Sequence, residues 1–193
     1  MSRTGPLFAD IGNSTIKVAH LVNERVECLS YTNHQNVPNE LLSSIALLSN
    51  VGLSITQQHE WFGNCPSVHD VLGRLPLSLA YARPKLLGQD RIAAMVGAWF
   101  YNTKTKDSKG SFAVIDLGSC VTIDIVDKEG KHLGGNIDLG VQWRIRAANT
   151  FSENLPMITV DDNCGDVSGF LAGNTQQALD YGIISGFLRQ QVH

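Results

Sequence analysis

Two stretches of this chain follow the same grammar. "FADIGNSTIKVAHL", from Phe8 to Leu21, and "FAVIDLGSCVTIDIV", from Phe112 to Val126, each carry an apolar run to an aspartate. A Gly-containing polar turn comes next, and then a second apolar run rich in β-branched residues. Around them, "PLFADIG", "TIKVAHLV" and "RVECLSY" predict one β-meander, broken at Gly12-Asn13 and Asn23-Glu24. "FAVIDLGSCVTIDIVDKEGKHLGG" predicts strand, turn, strand, turn, strand once more. A chain with this repeat folds as a weak internal duplication. The expected halves are residues 1–105 and 106–193, with the polar, aperiodic "NTKTKDSKGS" as linker or exposed loop.

The repeated turn has chemical content. Each strand delivers a carboxylate, Asp10 or Asp116, to its end. The glycine after it lets the backbone turn and lets a ligand come close. Successive amides in such a turn form a concavity that attracts anions. Ser14 and Thr15 add hydroxyls, and Lys17 lies on the face of Thr15, within reach of a phosphate. Asp-x-Gly is also an ordinary hairpin ingredient, so one copy alone says little. Two copies at matched places point to a site.

The remaining chain reads as helices and loops. "NELLSSIALLSN" has helical spacing, with Leu41, Ile45 and Leu48 on one face. Residues from Ile55 to Leu79 give no clear period. "LLGQDRIAAMVGAWFY" puts Ile92, Val96 and Trp99 on one helical face, either core or a dimer surface; the usual burial of such stripes favours core. Asp90 suits the start of that helix as a plain dipole partner. Arg91 opposes the dipole, which suggests an anion for it to meet. "VQWRIRAANTFSENLP" and "GNTQQALDYGIISGFLRQQ" predict two further helices around a loop.

Bulk properties exclude several classes. With 43% hydrophobic and 17% charged residues among 193, a packed core is expected rather than disorder. A net charge of -3 provides no basic field for nucleic acid. Cys28, Cys65, Cys120 and Cys164 form no CxxC pair, which argues against structural zinc and for free thiols in a reducing compartment. Cys120, inside an apolar strand, is expected to be buried. No secretory leader and no apolar run of about 18 residues is visible, so a soluble cytoplasmic protein with no membrane contact is expected.

Taken in order, five segments resemble the type III pantothenate kinases: "DIGNSTIK", "YARPKLLGQDR", "DLGSCVTID", "GGNIDLG" and "GNTQQALDYGI". They run from Asp10 to Gly182. The resemblance implies an α/β, actin-like (ASKHA, ribonuclease H-like) fold of duplicated domains with mixed sheets. It implies ATP-dependent phosphorylation of pantothenate to 4'-phosphopantothenate, the first step of coenzyme A biosynthesis. By resemblance, Asp10, Ile11, Gly12, Asn13, Ser14, Thr15, Ile16 and Lys17 cradle the ATP phosphates, and Asp10 orients the divalent metal. Ser119 stands where the family has a threonine that contacts ATP. Asp90 is the general base on the pantothenate hydroxyl. Tyr81, Gly88, Gln89, Arg91 and Thr175 line the pantothenate pocket. Arg91 either pairs with the pantothenate carboxylate or locks the Asp90 loop. Asp116 holds a monovalent cation, potassium or ammonium. ATP with Mg²⁺ is the implied cofactor and a homodimer the implied assembly.

Departures from the family pattern are local. Leu139 precedes Gly140 where the family has proline, so a looser loop is expected there. Cys120 and Val121 replace smaller residues, and "WFGNCPSV" is a distant version of the family's Ser-Ser-Val-x-Pro segment. The chain stops at His193, before the family's Thr-Gly-Gly segment, so the expectation is a truncated or naturally shortened second half with exposed apolar surface. Two other readings follow: a catalytically impaired or accessory relative that no longer binds ATP well, and a kinase of the same superfold for another small alcohol.

Overall fold

The computed structural model describes residues 5–13, 15–22, 25–31, 36–104, 110–152, 154–159 and 171–187. Ser14, the Asn23-Glu24 turn, residues 105–109 of the expected linker and Cys164 lie outside them. The chain divides into two compact units, residues 1–116 with 122–136 and residues 117–121 with 137–193.

The first unit opens with the predicted meander. Strands β1 (Leu7–Ile11), β2 (Ile16–Val22) and β3 (Arg25–Tyr31) pair antiparallel, and β4 (Ile45–Asn50) joins β1 in parallel. The sheet order is β3-β2-β1-β4. Side chains alternate between its faces. Leu7, Ala9 and Ile11 point into a core with Ile16, Val18, Ile45, Leu48 and Phe62. Phe8 and Asp10 therefore take the opposite face. Asp10 pairs in register with Lys17 on one side and Ser49 on the other, which sets a row Lys17–Asp10–Ser49 across the sheet.

The helix expected over "NELLSSIALLSN" is corrected here. Helix α1 covers only Asn39–Leu42, and Ile45–Asn50 is a strand. Ser43 and Ser44 both donate their hydroxyls to the carbonyl of Glu40, at 3.2 and 2.7 Å, which competes with continued helix. Beyond them, a parallel strand with β1 on one side reads as an unbroken apolar run, which periodicity cannot tell from a helix. The unreadable region resolves into α2 (Ile55–Phe62), a 3₁₀ segment (Val68–Arg74) and a short strand, β5 (Ser78–Leu79). Ser54 and Gln57 form a reciprocal cap on α2.

Helix α3 (Gln89–Lys104) packs Ile92 and Met95, both fully buried, against Val68, Leu77, Leu87 and Val126. Trp99 and Val96 border the same cluster, so the apolar stripe of this helix serves the core. The second meander comprises β6 (Phe112–Leu117), β7 (Cys120–Val126) and β8 (Lys131–Leu139), in a sheet of order β5-β8-β7-β6. Its connections are far too short for parallel crossovers. The β7–β8 turn is held by Asp127, whose carboxylate accepts from the amides of Glu129 and Lys131 at 2.9 and 2.8 Å. Gly130 there has φ 80°, and a Cβ would meet the Trp99 ring at 3.2 Å. Third-second-first is the strand order of both meanders, while the fourth strand lies beside the first meander strand in one sheet and beside the third in the other. Cys120 corrects an expectation: it is exposed. Its neighbour Val121 takes the buried face, and alternation turns Cys120 outward at the strand's first position.

In the second unit, α4 (Val141–Phe151) starts at Gly140 and buries Ile145. Arg144 bonds Asp138 and the carbonyl of Leu139, and its guanidinium lies over the Phe187 ring at 5.5 Å. Helix α5 (Thr175–Asp180) is capped by Asn174, which accepts from the amide of Gln177 at 2.9 Å. A wider π-type turn follows over Tyr181–Ser185 and buries Ile184.

Candidate active site

The face of the first sheet that carries Asp10 is not bare. Phe8, Ala19, Cys28 and Leu47 floor a cavity of about 440 Å³, with the Lys17–Asp10–Ser49 row along it. Asp90, Ala93 and Ala94 of α3 form another side, and Asp116 at the end of β6 closes the set. All of these residues belong to the first unit. The volume suits a small ligand. Three aspartates far apart in the chain thus share one cavity, with one lysine among them. Ser49 is buried there, and its hydroxyl has no hydrogen-bond partner among the described residues. A buried hydroxyl without a partner is costly unless a ligand or water supplies one.

The Asp10 turn is built tightly. Gly12 donates its amide to the carbonyl of Thr15 at 3.0 Å, which closes the turn. Val51 and Gly52 both donate to the carbonyl of Ile11, at 3.0 and 3.2 Å. Gly52 lies so close that a Cβ would stand 2.3 Å from the Gly12 carbonyl oxygen. The segment after β4 therefore clasps the turn through backbone alone, and only glycine fits the contact.

Asp90 sits in the first turn of α3, half-buried, between two anchored neighbours. On one side, buried Gln89 accepts from the amides of Asn50 and Val68, at 3.3 and 3.2 Å, tying the helix to β4 and to the 3₁₀ segment. On the other, Arg91 reaches Asp124 of β7 with a two-pronged bond, Nε to Oδ2 at 2.8 Å and Nη2 to Oδ1 at 2.7 Å. Asp90 itself accepts from the Arg91 amide at 2.8 Å. Gly88 leaves space for this carboxylate: a Cβ there would come within 2.5 Å of Asp90 Oδ1 and push it aside.

Arg91 and Asp124 are both buried, and His132 completes the cluster with Nε2 2.8 Å from Asp124 Oδ1. The Asp124 carboxylate raises the Arg91 pKa further above its ordinary value, against the opposing effect of burial; Tyr81 adds a smaller push in the same direction. The anion that the sequence demanded for Arg91 is thus found inside the protein.

Not every predicted residue turns a side chain to the cavity. Ile11 and Ile16 face the core, as strand alternation requires, so only their backbone is available to a ligand. Asn13 and Thr15 are exposed in the turn. Tyr81, partly exposed, neighbours Arg91. Ser119 and Thr175 belong to the second unit, where Ser119 accepts from the Gly140 amide at 2.9 Å and Thr175 opens α5. Gly140 keeps that loop close: a Cβ would stand 2.2 Å from the Gly118 carbonyl oxygen. Asp124, His132 and Ser49 were not singled out in the sequence. The one visible signal was a charge, Asp124, in the middle of an apolar strand.

Carboxylates, a lysine and a glycine-clasped turn around one cavity are what phosphoryl transfer requires: positioning and charge neutralisation rather than a covalent intermediate. The profile of the type III pantothenate kinases matches residues 6–192. The chain belongs to the type III pantothenate kinase family, and its mixed sheets with helices are the α/β, actin-like fold of that family. A type III pantothenate kinase of Azobacteroides pseudotrichonymphae is 34% identical over 147 residues, 76% of this chain and 53% of that protein. The enzyme of the same name from Porphyromonas gingivalis is 31% identical over 191 residues, covering 93% of this chain and 75% of the relative. One from Phocaeicola vulgatus is 32% identical over 195 residues, with 93% and 74% covered. The chain thus spans about half the length of the first and about three quarters of the other two. Among solved structures, YeaZ from Pseudomonas aeruginosa aligns with 98% of this chain and 93% of its own, at a TM-score of 0.31 and 13% identity.

Proposed function

We propose that the protein phosphorylates pantothenate with ATP, giving 4'-phosphopantothenate at the first step of coenzyme A synthesis. The observation that carries this is the single cavity lined by Asp10, Lys17, Asp90 and Asp116. Family membership supports the choice of pantothenate as acceptor. None of the comparisons favours an impaired relative.

In this reading, Asp90 takes the proton of the acceptor hydroxyl as it attacks, a task for a carboxylate held within hydrogen-bond reach. Its clamped helix turn keeps it aimed. Lys17 meets phosphate charge, and the exposed Asn13 and Thr15 supply polar contacts. Tyr81 and Gly88 contact pantothenate, and Thr175 is assigned to that substrate by the family resemblance alone. Arg91, committed to Asp124, locks the Asp90 turn. The donor chemistry fits Mg²⁺ bound to ATP, because that ion keeps several waters and needs few protein carboxylates; Asp10 would hold it. Asp116 would hold a potassium or ammonium ion. Bound there, these cations would neutralise charge on the transferring phosphoryl group. No helix among the described residues is long and apolar enough to cross a membrane; a cytoplasmic homodimer goes with this reading by family resemblance alone.

The test is turnover of the full chain with pantothenate, ATP, Mg²⁺ and K⁺, following ADP and 4'-phosphopantothenate. Asp90→Asn is expected to lower kcat by about 10²–10⁴ with the fold intact. Wild-type turnover in that variant would remove Asp90 from the role of base, and no turnover in the parent would reject the assignment.

A further inference from the structure

We propose that Asp124 is a positioning residue: through Arg91 it fixes the first turn of α3 and so aims Asp90 into the cavity. The proposal rests on the functional reading above for its kinetic test. Its structural basis is independent of that reading.

Three observations converge. First, Asp90 is flanked in sequence by two residues that turn away from the cavity and are buried, Gln89 and Arg91. A catalytic carboxylate in the first turn of a helix has only weak local constraints, because that turn lacks most of its backbone hydrogen bonds. Here the constraint comes from outside. Gln89 ties one flank to β4, and Asp124 ties the other to β7.

Second, the Arg91–Asp124 contact has the planar, two-bond geometry that fixes orientation as well as distance. A single-point contact would let the guanidinium swing. The Asp124 carboxylate is itself fixed by a further partner, His132, whose Nδ1 is buried and has no hydrogen-bond partner among the described residues. The cluster therefore has an anchor at each member: α3 through Arg91, β7 through Asp124, β8 through His132.

Third, the close backbone approach at Gly135 leaves no room for the cluster to relax. A Cβ there would stand 2.5 Å from Asp124 Oδ1 and 2.8 Å from Arg91 Nη2. A buried charge pair on its own is weak evidence of stability. A pair that is rigid, flanks the proposed base and connects it to another sheet has a geometric consequence beyond stability.

The test compares Asp124→Asn and Asp124→Glu with a stability control, Val126→Ala, in the full chain. Val126 is fully buried on the same strand, in the core cluster with Ile92 and Met95 of α3, and is not among the residues that line the cavity. Asp124→Asn keeps the shape but leaves Arg91 without its charge partner; Asp124→Glu keeps the charge but displaces the fork by one methylene, so the melting temperature of each variant is measured beside its kcat. Both are expected to lower kcat about 30-fold or more below their melting temperatures, with KM for ATP within about threefold, on the usual sensitivity of rate to ångström-scale misplacement. Val126→Ala is expected to lower Tm as much while keeping kcat within about twofold. Equal kcat in all three variants, or wild-type kcat in both Asp124 variants, would overturn the proposal.

Amide hydrogen exchange supplies a readout without turnover. In Asp124→Asn or Asp124→Glu, exchange at Arg91 and Ile92 should speed up while that at Leu7–Ile11 stays put. Unchanged exchange at Arg91 overturns the clamp even if the parent enzyme proves inactive with pantothenate. Faster exchange in an inactive parent would retain the clamp and reject only the substrate.

Discussion

The two Asp-x-Gly turns occupy the same topological place, between the first and second strands of their meanders, yet they are not equivalent. The Gly12 amide closes on the carbonyl of Thr15, three residues on; the Gly118 amide closes on Cys120, two residues on. The first turn is therefore one residue wider. It also carries a base: Lys17 stands directly opposite Asp10 across the β1–β2 pair. From Asp116 to Val126 the chain has no lysine or arginine, only a second acid, Asp124, already bound by Arg91. Wider turn plus lysine suits a phosphate. Narrow turn plus an acid, with no lysine or arginine in its own segment, suits a cation. Duplication supplied the geometry twice, and the side chains divided the charges between the copies.

The largest test of that division is at Asp10. If this turn handles the phosphates and their metal, Asp10→Asn should lower kcat/KM for ATP by about 10²–10³, the usual cost of removing one preorganised electrostatic partner. Steady-state kinetics at saturating pantothenate would measure it. A loss smaller than that at Asp116 would invert the comparison.

The clasping glycines come next. Gly52 and Gly140 lie on the carbonyls of Gly12 and Gly118 in the same manner, at 2.3 and 2.2 Å for an added Cβ. Both obstacles are backbone, so neither can be relieved by a rotamer change. Gly52→Ala should cost about 1–3 kcal/mol through forced backbone shifts and should weaken ATP binding with it. Gly140→Ala should cost a similar amount of stability. Denaturant titration and ATP binding, measured on both, separate the turns. Equal loss of ATP affinity in the two would mean that the second turn handles the nucleotide too.

This division was only partly legible in the sequence. The meanders could be read because alternating apolar runs and Asp-x-Gly turns are local signals. The Asp90 segment could be read as a helix start. β4 could not, because Ile45–Asn50 is apolar on consecutive positions and its partner, β1, is more than thirty residues away. The clasp of Gly52 on Gly12 is a long-range contact between two glycines, which carries no compositional trace. Arg91 shows the limit well. Its misfit with the helix dipole signalled an anion correctly, but only the fold could show that the anion is Asp124 rather than a substrate.

A smaller effect is expected at Asp116. Asp116→Asn should make turnover nearly indifferent to potassium and lower it about tenfold, the scale of one charge in a half-open site. Activity titrated with K⁺ at constant ionic strength would check it. Full potassium dependence in the variant would remove Asp116 from the cation site.

The smallest effect separates the units by acid. In the first unit, Asp70 caps the 3₁₀ segment by accepting from the amide and hydroxyl of Ser67, both at 2.8 Å. Those bonds, the Ser67 amide foremost, lower the Asp70 pKa below its ordinary value, with a lesser push from Lys85 and His69. The group is exposed, so its worth is about 0.5 kcal/mol after screening. A lowered folded-state pKa means the contribution is whole above the unfolded value near pH 4 and fades as pH falls through the folded one. The second unit caps α5 with Asn174, which does not titrate. Urea unfolding at pH 5 and pH 3 should therefore show a stability drop in the parent that is about 0.5 kcal/mol larger than in Asp70→Asn, where the amide still accepts but holds no charge. An identical drop in both would mean that the carboxylate cap contributes nothing and that the acid sensitivity of the chain arises elsewhere.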